Sequence, residues 1–239
     1  MTRARNPHAP GLTIMMAVVI ASTLFFGTQP APAFAQAGPG KVLMIPREGV
    51  SQDLDLMISM EVGVMTKLLT SAGYKVDIAT ASGYPIVGAT QRIAGVVRLQ
   101  DVNVNEYAGI IMPCMAVGLF PGPPVAPEAV AVVKKALADG KHVAAELGAI
   151  NVLAEAGVLK GKRYAYFRDP LKTDQEWTSA DPRFEGAVYT GMGIVHDGEI
   201  ITCGVCPNIE RSYGWGNDPY DPENGPVKLT KEFITALRP

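Results

Sequence analysis

The stretch that decides the fold is GKHVAAELGAINVLAEAGVLKGK, residues 140–162. A short apolar run from His142 to Ala145 leads through small residues into apolar positions at helical spacing, which end at Gly157. A buried run, a tight turn and a helix are typical of a parallel strand and its crossover helix. The turn at residues 146–149 has the form of a nucleophile elbow, in which one side chain is raised above the sheet edge.

The same alternation continues on both sides of this stretch. The predicted strands are residues 41–45, 75–79, 96–99, 109–112, 142–145, 188–196 and 199–202, and the predicted helices are residues 53–71, 128–138, 149–156 and 227–237. Strands that alternate with helices predict an α/β fold with a mostly parallel sheet covered on both faces. Asp197-Gly198 predicts one antiparallel hairpin. Residues 208–226 show no period, so they predict either a surface loop or a pocket lid or dimer contact.

Composition and charge exclude several classes of protein. The chain has 239 residues, 48% hydrophobic and 18% charged, with a net charge of −2. These values are typical of a globular protein and exclude collagen-like, coiled-coil and disordered chains. Because Lys and Arg form no block, we expect neither nucleic acid nor a membrane surface as partner. The sequence has no phosphate-binding glycine motif and no second Cys/His pair for zinc, so we predict no cofactor and no metal.

The first 35 residues have the three-part pattern of a secretory signal peptide. Arg3 and Arg5 are followed by an uncharged apolar run from Leu12 to Phe26 and by the small-x-small triplet Ala33-Phe34-Ala35. The apolar run is shorter than the roughly 20 residues that span a bilayer. We therefore predict cleavage after Ala35, a periplasmic or secreted protein without membrane attachment, and one domain over residues 36–239.

Candidate functional residues lie in the turns where strands end, because ligands of parallel α/β sheets bind there. In the elbow turn, Glu146 is either an acid or base, or a carboxylate that caps the next helix. After the strand that ends at Met112, Cys114 is either a reactive thiolate or an inert buried thiol. After the first strand, Asp53 or Asp55 either caps the next helix or points at the elbow.

Cys203 and Cys206 form a C-x-x-C motif that follows the predicted hairpin and does not open a predicted helix. A thioredoxin-type redox role is therefore weakly supported, and the alternatives are a structural disulfide between them or two separate thiols. No histidine is placed beside the elbow, which disfavours a His-assisted nucleophile.

Four stretches resemble the ThiJ/PfpI family of the class I glutamine amidotransferase-like superfamily. They are the first strand at residues 41–45 with the acidic helix start at residues 53–56, residues 107–113 (YAGIIMP), residues 140–162, and the hairpin at residues 197–202 (DGEIIT). The resemblance implies a flavodoxin-like three-layer sandwich and suggests a homodimer with a second copy of the chain.

The resemblance breaks at the catalytic positions of the family. Leu147 stands where the family has its nucleophilic Cys, and Gly148 stands where a His commonly follows. Cys114 and Met115 replace two glycines that form the back of the family's pocket, while Asp55 matches the acid that holds the Cys. What the resemblance implies for this chain is a pocket formed by Leu147, Gly148, Pro113, Met115 and Ile150.

Two functions remain open at this stage. The first is a non-catalytic pseudoenzyme, a small-molecule-binding or stress-related module, because leucine cannot carry out covalent catalysis. The alternative is a hydrolase or lyase acting on a small carbonyl or isonitrile-like substrate. That enzyme would use Cys114 as nucleophile, or Glu146 and Asp55 as an acid–base pair.

The predicted leader can be tested by the intact mass of the protein recovered from the periplasm or culture medium. Cleavage after Ala35 gives the mass of residues 36–239, whereas cytoplasmic expression of the same chain gives the mass with the leader retained. A full-length mass in the secreted fraction contradicts the prediction.

Overall fold

The structure, a computed structural model, describes residues 39–115, 125–168, 178, 181–214, 218, 220–221 and 223–238. The predicted leader, residues 1–35, lies outside these residues. In the part of the chain that the structure describes, no helix is both long and apolar enough to span a membrane.

The described chain contains short strands and helices in alternation. The strands are β1 (Lys41–Met44), β2 (Lys75–Thr80), β3 (Ile86–Val87), β4 (Arg92–Ile93), β5 (Val97–Arg98), β6 (Tyr107–Met112), β7 (His142–Glu146), β8 (Arg163–Tyr164), β9 (Val188–Tyr189), β10 (Ile194–Asp197) and β11 (Ile200–Cys203). The helices are α1 (Leu54–Leu56), α2 (Gly63–Ser71), α3 (Pro127–Ala138), α4 (Ile150–Glu155), α5 (Pro207–Tyr213) and α6 (Gly225–Ala236).

Seven strands form one sheet in the order β10-β11-β7-β6-β1-β2-β5. All neighbours are parallel except β10 and β11, which pair antiparallel through the predicted Asp197-Gly198 turn. The prediction of a flavodoxin-like α/β sandwich, mostly parallel with one small antiparallel hairpin, is confirmed. The carboxyl ends of β1, β6 and β7 lie side by side, so the turns after them meet at one edge.

The central strands are apolar on both faces because helices cover both faces of the sheet. Along β6, Ile110 faces one core and Ile111 faces the other, and both are fully buried. Helices α3 and α4 pack on the first face, whereas α2 and α6 pack on the second. This alternation explains why the strands read as continuous apolar runs in the sequence.

The helix predicted over residues 53–71 is present but is not regular. A π-helical turn, Met57–Val62, separates α1 from α2. A π turn places an extra residue in the turn and so rotates the side chains relative to a regular α-helix. Within this turn Glu61 faces the interior and is buried.

Two predicted segments differ from the structure. The strand predicted over residues 188–196 is two strands, β9 and β10, with Gly191 at positive φ between them. The segment 208–226, predicted as irregular, contains helix α5, which begins at Pro207 and ends at Gly214 in the left-handed conformation. This helix has Ile209 as its one aliphatic residue, so it shows no 3.6-residue apolar period in the sequence.

The packing of α6 on the sheet depends on Phe233, which is fully buried. Its ring lies against Gly109 of β6, where an added Cβ would be only 2.9 Å from the Cζ atom of Phe233. We expect Phe233→Ala to lower the free energy of unfolding by about 3–5 kcal/mol, because the cavity removes the contacts of a whole ring. Urea denaturation measures this change. The exposed Lys231→Ala on the same helix is the control and should change stability by less than about 0.5 kcal/mol.

Candidate functional site

The elbow after β7 has the backbone of a strained turn. A 3-10 turn, Leu147–Ala149, joins β7 to α4, and Leu147 has a φ of 38°. Among the described residues it is the one non-glycine residue with positive φ. The side chain of Leu147 is buried in the core and carries no group that could act as nucleophile or acid.

Two buried carboxyl groups meet at the backbone amide of Cys114. Glu146, the last residue of β7, is completely buried, and its Oε2 accepts a hydrogen bond of 3.3 Å from the Cys114 N–H. The carboxyl group of Glu61 lies close enough to the same amide for the amide to lower its pKa in part. Within the described part of the chain, Glu146 Oε1 and Glu61 Oε2 are buried without a hydrogen-bond partner.

Burial favours the protonated form of these carboxyl groups. Burial raises the pKa of Glu146 well above its usual range, and the neighbouring Glu61 carboxyl raises it further. Burial likewise raises the pKa of Glu61, with a further contribution from Cys114. Burial also raises the pKa of Glu210, whose Oε1 accepts a hydrogen bond of 2.8 Å from the amide of Gly225 at the start of α6.

All three cysteines are reduced and buried, but they do not form one group. Cys114 and Cys206 belong to the core on the α3 and α4 face, where the neighbouring Cys114 side chain, together with burial, raises the pKa of Cys206. Cys203 belongs to the opposite core, and its thiol donates a 3.5 Å hydrogen bond to the carbonyl of Val205. The structure therefore does not bring the predicted pair Cys203 and Cys206 together.

A pocket of about 170 Å³ opens beside the elbow, at the carboxyl ends of β1 and β2. Most of its lining is apolar, and its remaining members are three polar side chains and the elbow glycine. The apolar members include Ile45, Leu99, Met115, Ala126, Ala129 and Val152, and the others are Arg47, Glu48, Thr80 and Gly148.

The two charged side chains of the pocket are each already engaged. Arg47 forms an ion pair of 2.7 Å with Asp53. Glu48 accepts hydrogen bonds from the hydroxyl and the amide of Ser82, at 2.7 and 2.9 Å. Burial alone would raise the pKa of Glu48, but these hydrogen bonds outweigh it and hold the pKa below its usual value. Glu48 is thus ionised and is a weak base.

The structure brings some of the predicted pocket residues together and separates others. Gly148 and Met115 line the pocket, whereas Leu147, Pro113 and Ile150 are buried and do not line it.

The predicted acid–base pair is not brought together. The Asp55 carboxylate is hydrogen-bonded to another segment and not to Glu146. It accepts hydrogen bonds from the hydroxyl and amide of Thr90 and from the amide of Gln91. The Thr90 hydroxyl, with the two amides, lowers the pKa of Asp55.

Glu61 is the residue that sequence reasoning missed. The apolar stripe of the first helix includes Met57, Val64 and Leu68, and Glu61 lies at the helical spacing between the first two of them. A glutamate within an apolar stripe must be buried with the core side chains, where a charged carboxylate is costly. That position was the signal in the sequence, whereas Asp55 lies outside the stripe. Among the described residues, no group of three or more His, Cys, Asp or Glu side chains could hold a metal ion.

Comparisons with known proteins agree with this architecture. Residues 50–209 match the model of the DJ-1/PfpI family. The uncharacterized protein MJ0967 of Methanocaldococcus jannaschii is 29% identical over 175 residues, which cover 73% of this chain and 78% of that protein.

Solved structures share the fold at low identity. A ThiJ/PfpI domain protein from Brachyspira murdochii superposes with a TM-score of 0.59 at 15% identity, covering 82% of this chain and 95% of that one. DJ-1beta of Drosophila melanogaster gives a TM-score of 0.52 at 20% identity, covering 83% and 97%.

The buried carboxyl of Glu146 makes stability depend on pH. The folded state keeps the Glu146 proton while the unfolded chain loses it near the ordinary value of 4.5, so the free energy of unfolding falls as pH rises above that value. Glu146→Gln keeps an acceptor for the Cys114 amide and has no proton to lose. We expect this variant to be more stable than the wild type at about pH 8, with the difference vanishing towards about pH 4.

Chemical denaturation across this pH range measures the effect, with the exposed Glu185→Gln as control. A Glu146→Gln variant that is equally destabilised at every pH would show that Glu146 is not buried in its protonated form.

Proposed function

Because the chain belongs to the DJ-1/PfpI family, we propose that it is a secreted member that binds a small molecule and does not use a nucleophile at the elbow. The observation that carries this proposal is the elbow itself. Its strained backbone raises residue 147 at the sheet edge, yet that residue is a buried leucine. A hydrocarbon side chain offers no lone pair for covalent catalysis.

The position of the reactive groups also favours binding over catalysis. Cys114 and Glu146 do not line the pocket, and both are buried beneath the elbow. A general acid or base must come within hydrogen-bond reach of the group that it serves. The alternative, a hydrolase or lyase using Cys114 or the pair Glu146 and Asp55, therefore has less support.

The chemistry of the pocket indicates its ligand class. An anion would face the ionised Glu48, and a cation would face Arg47, whose charge is already balanced by Asp53. The Arg47 guanidinium has five N–H donors, more than its ion pair with Asp53 uses, so it can also donate a hydrogen bond to a ligand. We therefore assign the pocket to a small, neutral, mostly apolar molecule with one hydrogen-bond acceptor, which Arg47 binds.

Secretion is the second part of the proposal. It is supported by the basic start, the apolar run and the small-x-small triplet of residues 1–35. In a periplasmic or extracellular location the protein would meet small molecules from outside the cell.

The binding proposal is tested with isovaleramide, a small branched neutral amide, and with its anionic counterpart isovalerate. We expect the wild type to bind the amide more tightly than the carboxylate, measured by ligand-observed NMR. Arg47→Met should weaken amide binding about tenfold, because a hydrogen bond from a charged donor is worth roughly 1.5–3 kcal/mol. Ala126→Leu should abolish binding by filling the pocket, and Arg92→Met, an exposed arginine outside the pocket, should leave binding unchanged.

Two results would contradict the proposal. Amide binding that survives both Arg47→Met and Ala126→Leu would exclude this pocket as the binding site. Turnover of methylglyoxal or a small isonitrile that is lost in Cys114→Ala or Glu146→Gln would establish the enzymatic alternative.

A further inference from the structure

We propose that Asn151 and Arg183 are positioning residues for ligand binding, because together they hold the elbow carbonyl of Gly148 in place. This inference rests on the proposed function, since it concerns the same pocket, and it adds control of that pocket from the protein surface. Gly148 lines the pocket beside the elbow, whereas Asn151 and Arg183 do not. Asn151 is almost completely buried, and the side chain of Arg183 is partly exposed.

The side chain of Asn151 connects the start of α4 back to the elbow. Asn151 is the second residue of α4. Its Nδ2 donates hydrogen bonds to the carbonyl of Gly148, at 3.0 Å, and to the hydroxyl of Tyr166, at 3.1 Å. The elbow begins at Leu147, whose left-handed backbone persists only where its surroundings support it. The Asn151 amide supplies part of that support from inside the core.

Arg183 sets the orientation of the Asn151 amide. Its Nη2 donates a hydrogen bond of 3.2 Å to Oδ1 of Asn151. Its Nε donates to both carboxylate oxygens of Asp181, each at 3.0 Å, and this ion pair holds the guanidinium in place. A continuous chain of polar contacts therefore runs from Asp181 and Arg183 through Asn151 to the pocket-lining Gly148.

The two ends of this chain place opposite demands on residue 151. A guanidinium only donates hydrogen bonds, and a carbonyl only accepts them. Asn151 must therefore accept from Arg183 with one atom and donate to Gly148 with another. A primary amide has both atoms, whereas a carboxylate of the same shape has no donor. The orientation of the Asn151 amide is thus determined at both of its ends.

A contribution to stability alone would not require these contacts to reach the pocket. The hydrogen bond from Asn151 ends on Gly148, and Val152, the next residue of α4, also lines the pocket. A shift of the start of α4 relative to the elbow would therefore displace two parts of the pocket lining at once. A site that is not already ordered must become ordered on binding, and this weakens ligand affinity.

The experiment compares the isovaleramide affinity of folded variants by ligand-observed NMR. Asn151→Asp has nearly the same shape but presents an acceptor to the Gly148 carbonyl. We expect it to weaken binding about fivefold, the effect of losing one ordinary hydrogen bond. Arg183→Lys keeps a positive charge opposite Asp181 but lacks the planar fork that serves Asp181 and Asn151 together. We expect this variant to weaken binding about two- to threefold.

Two controls separate positioning from stability and from charge. Phe233→Ala destabilises the packing of α6 in the core on the other face of the sheet, so the folded protein should keep its isovaleramide affinity. Asn105→Asp makes the same chemical change at an exposed residue and should also leave the affinity unchanged. If Asn151→Asp does not fold, Arg183→Lys decides the inference.

A measurement without ligand separates this inference from the proposed function. Loss of the Asn151 donor should shift the ¹³C signal of the Gly148 carbonyl, whether or not isovaleramide binds. Failure of the wild type to bind isovaleramide contradicts the proposed function, and the carbonyl signal then decides the positioning role, which an unchanged signal in both variants overturns. Where the wild type binds, unchanged affinity in both variants overturns the positioning role. An equal loss of affinity in Phe233→Ala also overturns it, because the loss would then follow stability.

Discussion

The turn at Leu147 is the constraint on which the rest of the site depends. A left-handed backbone costs a residue with a Cβ about 1–2 kcal/mol, so it persists only where its surroundings compensate. Burial of the leucine side chain returns roughly 1.5–3 kcal/mol, and the turn is held between β7 and α4. Position 147 is where a nucleophile elbow has its nucleophile, but here the buried leucine side chain at this position stabilises the turn. In a nucleophile elbow this strained turn presents the nucleophile. Here it places a leucine side chain in the core, and the neighbouring Gly148 lines a pocket.

The buried carboxyl groups connect this turn to the elements around it. Glu146 comes from a strand and accepts a hydrogen bond from the amide of Cys114, just beyond the end of β6. Glu61 comes from the first helix, and its carboxyl lies near the same amide. Burial raises the pKa of both carboxyl groups and of the thiols of Cys203 and Cys206, which favours the uncharged form of each. These carboxyl groups and thiols are thus buried parts of the core, where their charged forms are disfavoured. The pocket beside it contains ionised groups, but those are paired.

The strands and helices were predictable where their periods were long enough. The parallel sheet, its hairpin and the helices followed from apolar runs and spacing, because helices on both faces require strands that are apolar throughout. Helix α5 was not predictable in this way, since Ile209 is the one aliphatic residue among its seven and so shows no apolar period. The family resemblance predicted Asp55 as the acidic residue of the site. In the structure, the carboxyl group that lies beside Glu146 at the elbow is that of Glu61. The spacing of Glu61 within the apolar stripe predicts its burial, but its approach to the elbow depends on how the helix packs, and the π turn in that helix has no clear signature in a single sequence.

The sequence by itself determined the fold class, the position of the elbow and the absence of a nucleophile at residue 147, because these depend on local periodicity and residue identity. Only the tertiary structure decided which side chains meet. Cys203 and Cys206 are three residues apart yet belong to the cores on opposite faces of the sheet, whereas Cys206 shares its core with Cys114, about 90 residues away. Contacts between side chains are set by the face and register of each strand, and these are fixed when the whole sheet closes its two cores.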